Sequence, residues 1–233
     1  MNLDEVLVII PARGGSKGVP KKNIKLLNGK PLIQYTLEFA SSIFSSDQIC
    51  VSTDSEEIVD FTEDFGISVP FIRPDAIATD KASMRDVLLH AINYYKVQGK
   101  AYRYLFLLQP TSPFRQQEDW DQISQIANQI TGFDMIVSVK ESHANPYFNL
   151  FEEDEDGFLA LSKKADFVRR QDCPKIYEYN GAFYLINIAS LEKSALSQFE
   201  KIIKYIMPSE RSVDIDTLSD WEQAERIMKK ERD

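Results

Sequence analysis

Five consecutive apolar residues, Val6–Ile10 (VLVII), run without interruption into PARGGSKGVPKKN, a turn that carries Gly14, Gly15 and Gly18. A strand that is apolar at every position has to be covered on both faces, as the central strands of parallel sheets are. An α/β fold with helices on both sides of a sheet satisfies that requirement. Open α/β sheets take their ligands at the carboxyl ends of their strands, which is where this glycine turn falls. From Arg13 to Lys30 stand six basic residues (Arg13, Lys17, Lys21, Lys22, Lys25 and Lys30) and no acidic one, although the chain as a whole has 36 Asp plus Glu against 27 Lys plus Arg and a formal net charge of -9. A local positive excess in an anionic protein suits a polyphosphate. Glycines permit positive φ and close backbone approach, so that successive N–H groups line an anion nest. Arg13 adds a planar fork, and Lys17, Lys21 and Lys22 add mobile point charges. The competing reading is a solvated basic loop. The turn is not a P-loop, because no Ser or Thr follows a Gly-Lys pair, and it is not a dinucleotide fingerprint, because Pro20 stands where the helix should be running.

The rest of the chain alternates strand and helix. Pro31 opens a helix with Leu32, Tyr35 and Phe39 at helical spacing; Gln48–Thr53 is a strand ending at Asp54; Ser55 starts a second helix that Gly66 stops; and ISVPFI (67–72) reads as a further strand. Val87, Leu88, Ala91, Ile92 and Tyr95 mark the apolar side of a third helix, in which His90 is a packing or surface residue. Tyr104–Leu108 is a second buried strand running into LQPTSPFR, so Gln109, Thr111, Ser112 and Arg115 belong either to a ligand crevice or to a proline turn. After a helix around Trp120 and Ile123 and the strand DMIVSVK, residues 141–161 change character. They mix aromatics with the acidic turn EEDEDG and predict a protruding hairpin, whose Tyr147, Phe148 and Phe151 are buried either in a dimer interface or in the intrachain core. Arg169 and Arg170 are either a surface pair or a clamp for a carboxylate. The strand from Ala182 follows Asn180-Gly181, and KIIKYIM is strand-like. Ser219 with Glu222 predicts the capping box of the last helix.

Asp214 and Asp216, in VDIDT, stand at i and i+2 on an extended segment, which puts both carboxylates on one face. Two such charges repel by several kcal/mol at an effective dielectric of about 20. Mg²⁺ held through one or two carboxylates plus substrate phosphates relieves that repulsion; exposed acids ahead of a helix N-terminus are the other explanation.

Composition excludes several classes. A sequence pI near 4.9 lacks the basic footprint of general nucleic-acid binding. No run of about eighteen apolar residues is present to span a membrane. MNLDEVLVIIPA reads as a first strand and not as a signal peptide, which makes the cytoplasm the expected location. Cys50 and Cys173 have no C-x-x-C spacing, and two histidines, His90 and His143, are too scattered for zinc. The length of 233 residues suits a single domain.

IPARGGSKGVPKKN resembles the N-terminal signature of the acylneuraminate cytidylyltransferase family, the CMP-nonulosonic acid synthetases. VSTD (51–54), RP with ATDKAS (73–83), LLQPTSPFR (107–115), RRQD (169–172), NGAFY (180–184) and DIDT (214–217) follow in that family's order. The resemblance implies one domain over residues 1–233 with a Rossmann-like nucleotide-diphospho-sugar transferase fold: a mostly parallel central sheet, helices on both faces, and a small dimerisation segment protruding near 141–175. It implies CTP and a nonulosonic acid as substrates, Mg²⁺ as cofactor, and a homodimer. Ala12, Arg13, Gly14, Gly15, Ser16, Lys17 and Lys22 resemble the triphosphate site. Asn23, Arg73 and Ser83 resemble residues around ribose, cytosine and phosphate. Gln109, Arg170 and Tyr184 resemble contacts to the sugar acid, with Arg170 facing its carboxylate, and Asp214 and Asp216 resemble the metal ligands. Arg13, Lys22 and the two aspartates are thus the expected catalytic set. SKG, in place of an arginine-containing variant, leans toward N-acylneuraminate or legionaminate. Pseudaminate, 3-deoxy-octulosonate and a non-catalytic nucleotide binder of the same fold are the alternatives.

Overall fold

The structure is a computed structural model that describes residues 1–16, 18–79 and 81–230. In chain order its elements are β1 (Val6–Pro11), a minimal hairpin of β2 (Leu26–Leu27) and β3 (Lys30–Pro31), α1 (Leu32–Ser41), β4 (Ile49–Ser52), α2 (Glu56–Asp64), α3 (Met84–Val97), β5 (Tyr104–Leu107), α4 (Gln117–Gln129), β6 (Met135–Glu141), β7 (Phe151–Glu153), β8 (Leu159–Leu161), β9 (Tyr177–Asn187), α5 (Ile188–Lys193), β10 (Ile202–Ile206) and α6 (Leu218–Lys230). Six strands form the central sheet in the order β10-β6-β9-β5-β1-β4. β1 runs parallel to β4 and β5, and β10 runs parallel to β6; β9 alone is antiparallel, lying between β5 and β6. The expected mostly parallel α/β sheet is therefore present.

Strand alternation explains why VLVII is apolar throughout. Val6, Val8 and Ile10 pack on one face with Phe106, Phe183, Ile33 and Leu37 of α1, Ile58 of α2 and Trp120 of α4. Leu7 and Ile9 pack on the other with Leu105, Leu88 and Ala91 of α3 and Leu191 of α5. Phe106 and Phe183 stack at 5.7 Å between ring centroids at the middle of the first layer, and each fully buried phenyl contributes roughly 1.5–3 kcal/mol. A third cluster matters most for the site. Val19, Leu27 and Leu32 meet Val213, Ile215 and Trp221, so α6 and the segment before it fold back onto the basic turn.

Some sequence expectations shift. ISVPFI is not a strand; its only ladder contact is an isolated bridge from Ile72 to Thr53, because Pro70 has no N–H to give a ladder. Pro31 is the N-cap of α1 and not its first helical residue. The capping box of α6 is Thr217 with Asp220, not Ser219 with Glu222. Thr217 N–H donates to Asp220 Oδ2 at 2.8 Å and Asp220 N–H returns to Thr217 Oγ1 at 3.3 Å, since the helix starts at Leu218. Gly66 does stop α2, at φ 97°. The expected hairpin is β7–β8, closed by an acidic turn with Gly157 at φ 84°.

Candidate active site

A cavity of about 540 Å³ opens at the carboxyl ends of β1 and β5. From the basic turn it is lined by Pro11, Arg13, Ser16, Gly18, Lys22 and Asn23; from the β5 exit by Gln109, Pro110 and Thr111; and from across the way by Arg73, Met84, Asp214 and Asp216. Lys17, expected among the phosphate ligands, lies outside the described residues.

The turn is built by close approach more than by unusual backbone. Gly14 and Gly15 do not adopt the positive φ expected of them. Gly14 is small because a Cβ there would sit 2.9 Å from that of Ser55, and its N–H donates to Asp54 Oδ1 at 2.8 Å, so this donor of the expected nest is committed within the chain. Ala12 is buried and donates to Ser52 O at 2.9 Å, extending the β1–β4 ladder into the turn. Gly18 has the tightest requirement. Its Cα lies against the Asp216 carbonyl, which a Cβ would meet at 2.0 Å.

The polar side chains divide into those aimed at the cavity and those that hold it. Lys22 Nζ donates to Ile215 O at 2.6 Å and pairs with Asp216 Oδ1 at 3.0 Å. Lys21, at φ 50°, instead turns outward to Glu57 at 2.7 Å, away from the cavity. Asn23 is buried and donates Nδ2–H to Arg13 O at 2.9 Å, bracing the arginine's peptide. Arg73 is buried, hydrogen bonded through Nε and Nη2 to Ser52, and donates its N–H to Thr53 O at 2.7 Å. Burial pulls its pKa down, opposed by the charge of Asp54. Arg115 ties Gln109 O (2.6 Å), Ser112 O (2.6 Å), Ala182 O (2.8 Å) and Thr36 Oγ1 (3.0 Å) together behind the cavity, so it is structural.

Asp214 and Asp216 differ more than their spacing suggested. Asp216 is exposed, whereas Asp214 is largely withdrawn and its Oδ1 is buried without a hydrogen-bond partner. Burial pushes the Asp214 pKa up, and the charge of Asp216 adds to that, while Thr111, Lys22 and Arg115 pull it down. Tyr184 is half-buried beside Asp214, its phenol pushed up to about 12 by burial and that carboxylate. Among the described residues no group of three or more His, Cys, Asp or Glu could hold a metal.

Tyr184, Ser83 and Arg170 are not among the residues that line the cavity. Ser83 caps α3, accepting from Asp86 N–H at 3.2 Å, next to the cavity-lining Met84. Arg170 is exposed on the protruding segment, with Nη2 2.8 Å from His143 Nδ1, and does not line the cavity of its own chain. Gly181 was not expected to matter. It has φ 76°, and a Cβ there would meet Asp214 Oδ2 at 2.8 Å and Gln109 Oε1 at 3.1 Å. The signal was the Asn-Gly pair, expected ahead of a strand starting at Ala182 but placed by the structure inside β9, where the pairing with β6 shifts register between Val137 and Val139. Gly181→Ala should cost about 1–2 kcal/mol of stability in backbone strain alone and displace both side chains; a thermal midpoint equal to the parent's would contradict this.

A family model described as Cytidylyltransferase matches residues 7–232. The chain is 33% identical over 225 residues to the CMP-N,N'-diacetyllegionaminic acid synthase of Legionella pneumophila, with 96% of each covered. It is 32% identical over 228 residues to the N-acylneuraminate cytidylyltransferase of Escherichia coli, covering 97% of this chain and 52% of that one. With the pseudaminic acid cytidylyltransferase of Campylobacter jejuni it shares 33% over 226 residues, 96% of each. In fold it is similar to a CMP:2-keto-3-deoxy-manno-octonic acid synthetase complexed with CTP, at a TM-score of 0.69 and 18% identity, over 97% of this chain and 99% of that one.

Proposed function

The chain belongs to the cytidylyltransferase family, and on that premise we propose that it transfers CMP from CTP to the anomeric hydroxyl of a nonulosonic acid, releasing pyrophosphate. The relatives with printed substrates act on three different nonulosonic acids at nearly equal identity, so identity does not choose among them; SKG favours CMP-legionaminate or CMP-N-acylneuraminate as product. One observation carries the reading. The basic turn and the DIDT segment, 194 residues apart, face one cavity and touch through Lys22 and Asp216.

The hydroxyl attacks the α-phosphorus and pyrophosphate leaves, so this chain's work is positioning and charge neutralisation. Arg13 and Lys22 face the triphosphate. Asn23 and Asp54 hold the turn that presents Arg13, and Arg73, fixed by Ser52, stands where the nucleoside enters. Gln109 and Tyr184 orient the sugar acid. Asp214 and Asp216 would hold Mg²⁺, and the partnerless buried Oδ1 of Asp214 suits a hard cation. When bound, that ion supplies further neutralisation of phosphate charge. Among the described residues no histidine lines the cavity, and the two aspartates are the carboxylates along its wall.

The protruding segment exposes Phe151, Phe158 (70%), Leu159 (68%) and Val168 (88%), and exposed apolar patches mark interaction surfaces. A homodimer that covers this face is part of the proposal; a monomeric mass by light scattering would contradict it. No helix among the described residues is long and apolar enough to cross a membrane, and a cytoplasmic site of action is proposed.

Pyrophosphate release with Mg²⁺ and CTP is the test, run with N-acetylneuraminic, legionaminic, pseudaminic and 3-deoxy-octulosonic acids, and with ATP, GTP and UTP as controls. Turnover is expected with CTP and one of the first two acids. Silence with all four acids while CTP still binds would favour a non-catalytic nucleotide binder.

A further inference from the structure

Asp119 and Arg211 lie outside the cavity, yet they anchor the segment that carries both aspartates. Asp119 has no exposed surface and accepts three hydrogen bonds: from Gln116 N–H at 2.7 Å, from Tyr205 Oη at 2.6 Å and from Arg211 Nη1 at 2.6 Å. Those donors come from the entry of α4, from β10, and from the turn Ser209–Arg211 that leads into Asp214. Residues 212–216 belong to no helix or strand, so their register depends on such contacts. Other directional ties accompany the ion pair: Ser212 Oγ accepts from Asn180 Nδ2 at 2.9 Å and donates to Pro208 O at 2.8 Å, Ile215 N–H donates to Thr111 O at 2.9 Å, Ile215 O accepts from Lys22 Nζ at 2.6 Å, and Asp216 N–H donates to Asp220 Oδ2 at 3.1 Å. Among these, the link to Asp119 is the one made by a buried charge pair. Val213 and Ile215 are also buried in the third apolar cluster. That burial keeps the segment attached, but apolar contacts are non-directional and do not fix register.

We propose that the Arg211–Asp119 pair is a positioning latch that sets the register of residues 212–217 and thereby aims Asp214 and Asp216 into the cavity. The latch rests on the reading that these carboxylates serve CMP transfer. It acts through them, since neither Arg211 nor Asp119 lines the cavity. Arg211 is the half whose loss matters most, because it leaves a carboxylate buried and unpaired.

The test compares Arg211→Met, Arg211→Lys and the double variant Asp119→Asn with Arg211→Gln, which restores a neutral hydrogen-bonded pair. Steady-state kinetics with CTP are run well below each variant's thermal midpoint, together with hydrogen exchange at the Ile215 amide. For Arg211→Met, kcat should fall roughly ten- to a hundred-fold, as a misplacement near 1 Å can cause, while KM for CTP should change by less than kcat, because Arg13 keeps the brace of Asn23 although Lys22 shares its contacts with the moving segment. Ile215 exchange should quicken while amides of β1 and the middle of α6 stay protected. Arg211→Lys should lie between, and the double variant should recover most of kcat. If Arg211→Met does not fold, the other two variants decide. Unchanged kcat in folded Arg211→Lys, or unchanged Ile215 exchange in any folded single variant, would overturn the latch. A parent without turnover whose Ile215 exchange still responds to Arg211 would support the latch and count against the function.

Discussion

Asp214→Ala is expected to lose CMP transfer by at least about a thousandfold, and to melt no lower than the parent. The two halves of that result have one cause. Asp214 is withdrawn from solvent, its Oδ1 has no partner, and burial together with the Asp216 charge raises its pKa in the folded chain. A carboxylate whose folded pKa is raised stabilises nothing when ionised. Its penalty is absent below the unfolded-chain value of about 3.9, grows as pH rises from there to the raised folded value, and is fully present above it. In the parent, with a chelator present, this group therefore makes the thermal midpoint fall as pH rises across that window. In the variant this component should vanish. Catalysis moves the other way, because the same unsatisfied oxygen is what a phosphate-neutralising ion needs. Turnover and melting measured side by side check both halves, and normal CMP-sugar formation would remove the metal assignment.

Gly18→Ala should be nearly as damaging, for a reason that is purely steric. A Cβ would sit 2.0 Å from the Asp216 carbonyl oxygen, against a floor near 3.0 Å for real contacts, so turn and DIDT segment must part by the difference, 3.0 − 2.0, about 1 Å. Both neighbours are backbone and neither can rotate away. The parting also strains the 2.6 Å bond from Lys22 to Ile215 O. A loss of about a hundredfold in kcat is the expected order. Gly15, three residues earlier, has nothing within 4 Å of its would-be Cβ, and Gly15→Ala should change stability by less than about 0.5 kcal/mol. Equal thermal midpoints for the Gly18 and Gly15 variants would show that the close approach is not what Gly18 supplies.

Much of the sheet was legible because β1 must be covered twice, and that demand is written in five adjacent apolar residues. Both halves of the site were legible as compositional exceptions, one basic and one acidic. Their meeting was not. Lys22 and Asp216 are 194 residues apart, and only the packing of Val19 and Leu27 against Val213 and Ile215 brings them together. Reading glycines as sources of positive φ misjudged Gly14, whose role, like that of Gly18, is proximity to a neighbour unknown from local sequence. Lys21 looked equivalent to Lys22 until a left-handed backbone turned it toward Glu57. ISVPFI was misread by giving its apolar residues more weight than Pro70. The link from Asp119 to Arg211 spans 92 residues between ordinary surface-type side chains and leaves no periodic trace.

Phosphorus NMR of the protein with CTP, Mg²⁺ and the sugar acid that supports turnover tests the central claim most directly, because it reports which phosphorus is attacked. The expected result is loss of the three CTP resonances and appearance, in equal amounts, of pyrophosphate and one phosphodiester signal. CDP with inorganic phosphate, or a phosphorylated sugar beside CDP, would place the chemistry at the γ-phosphorus and contradict CMP transfer.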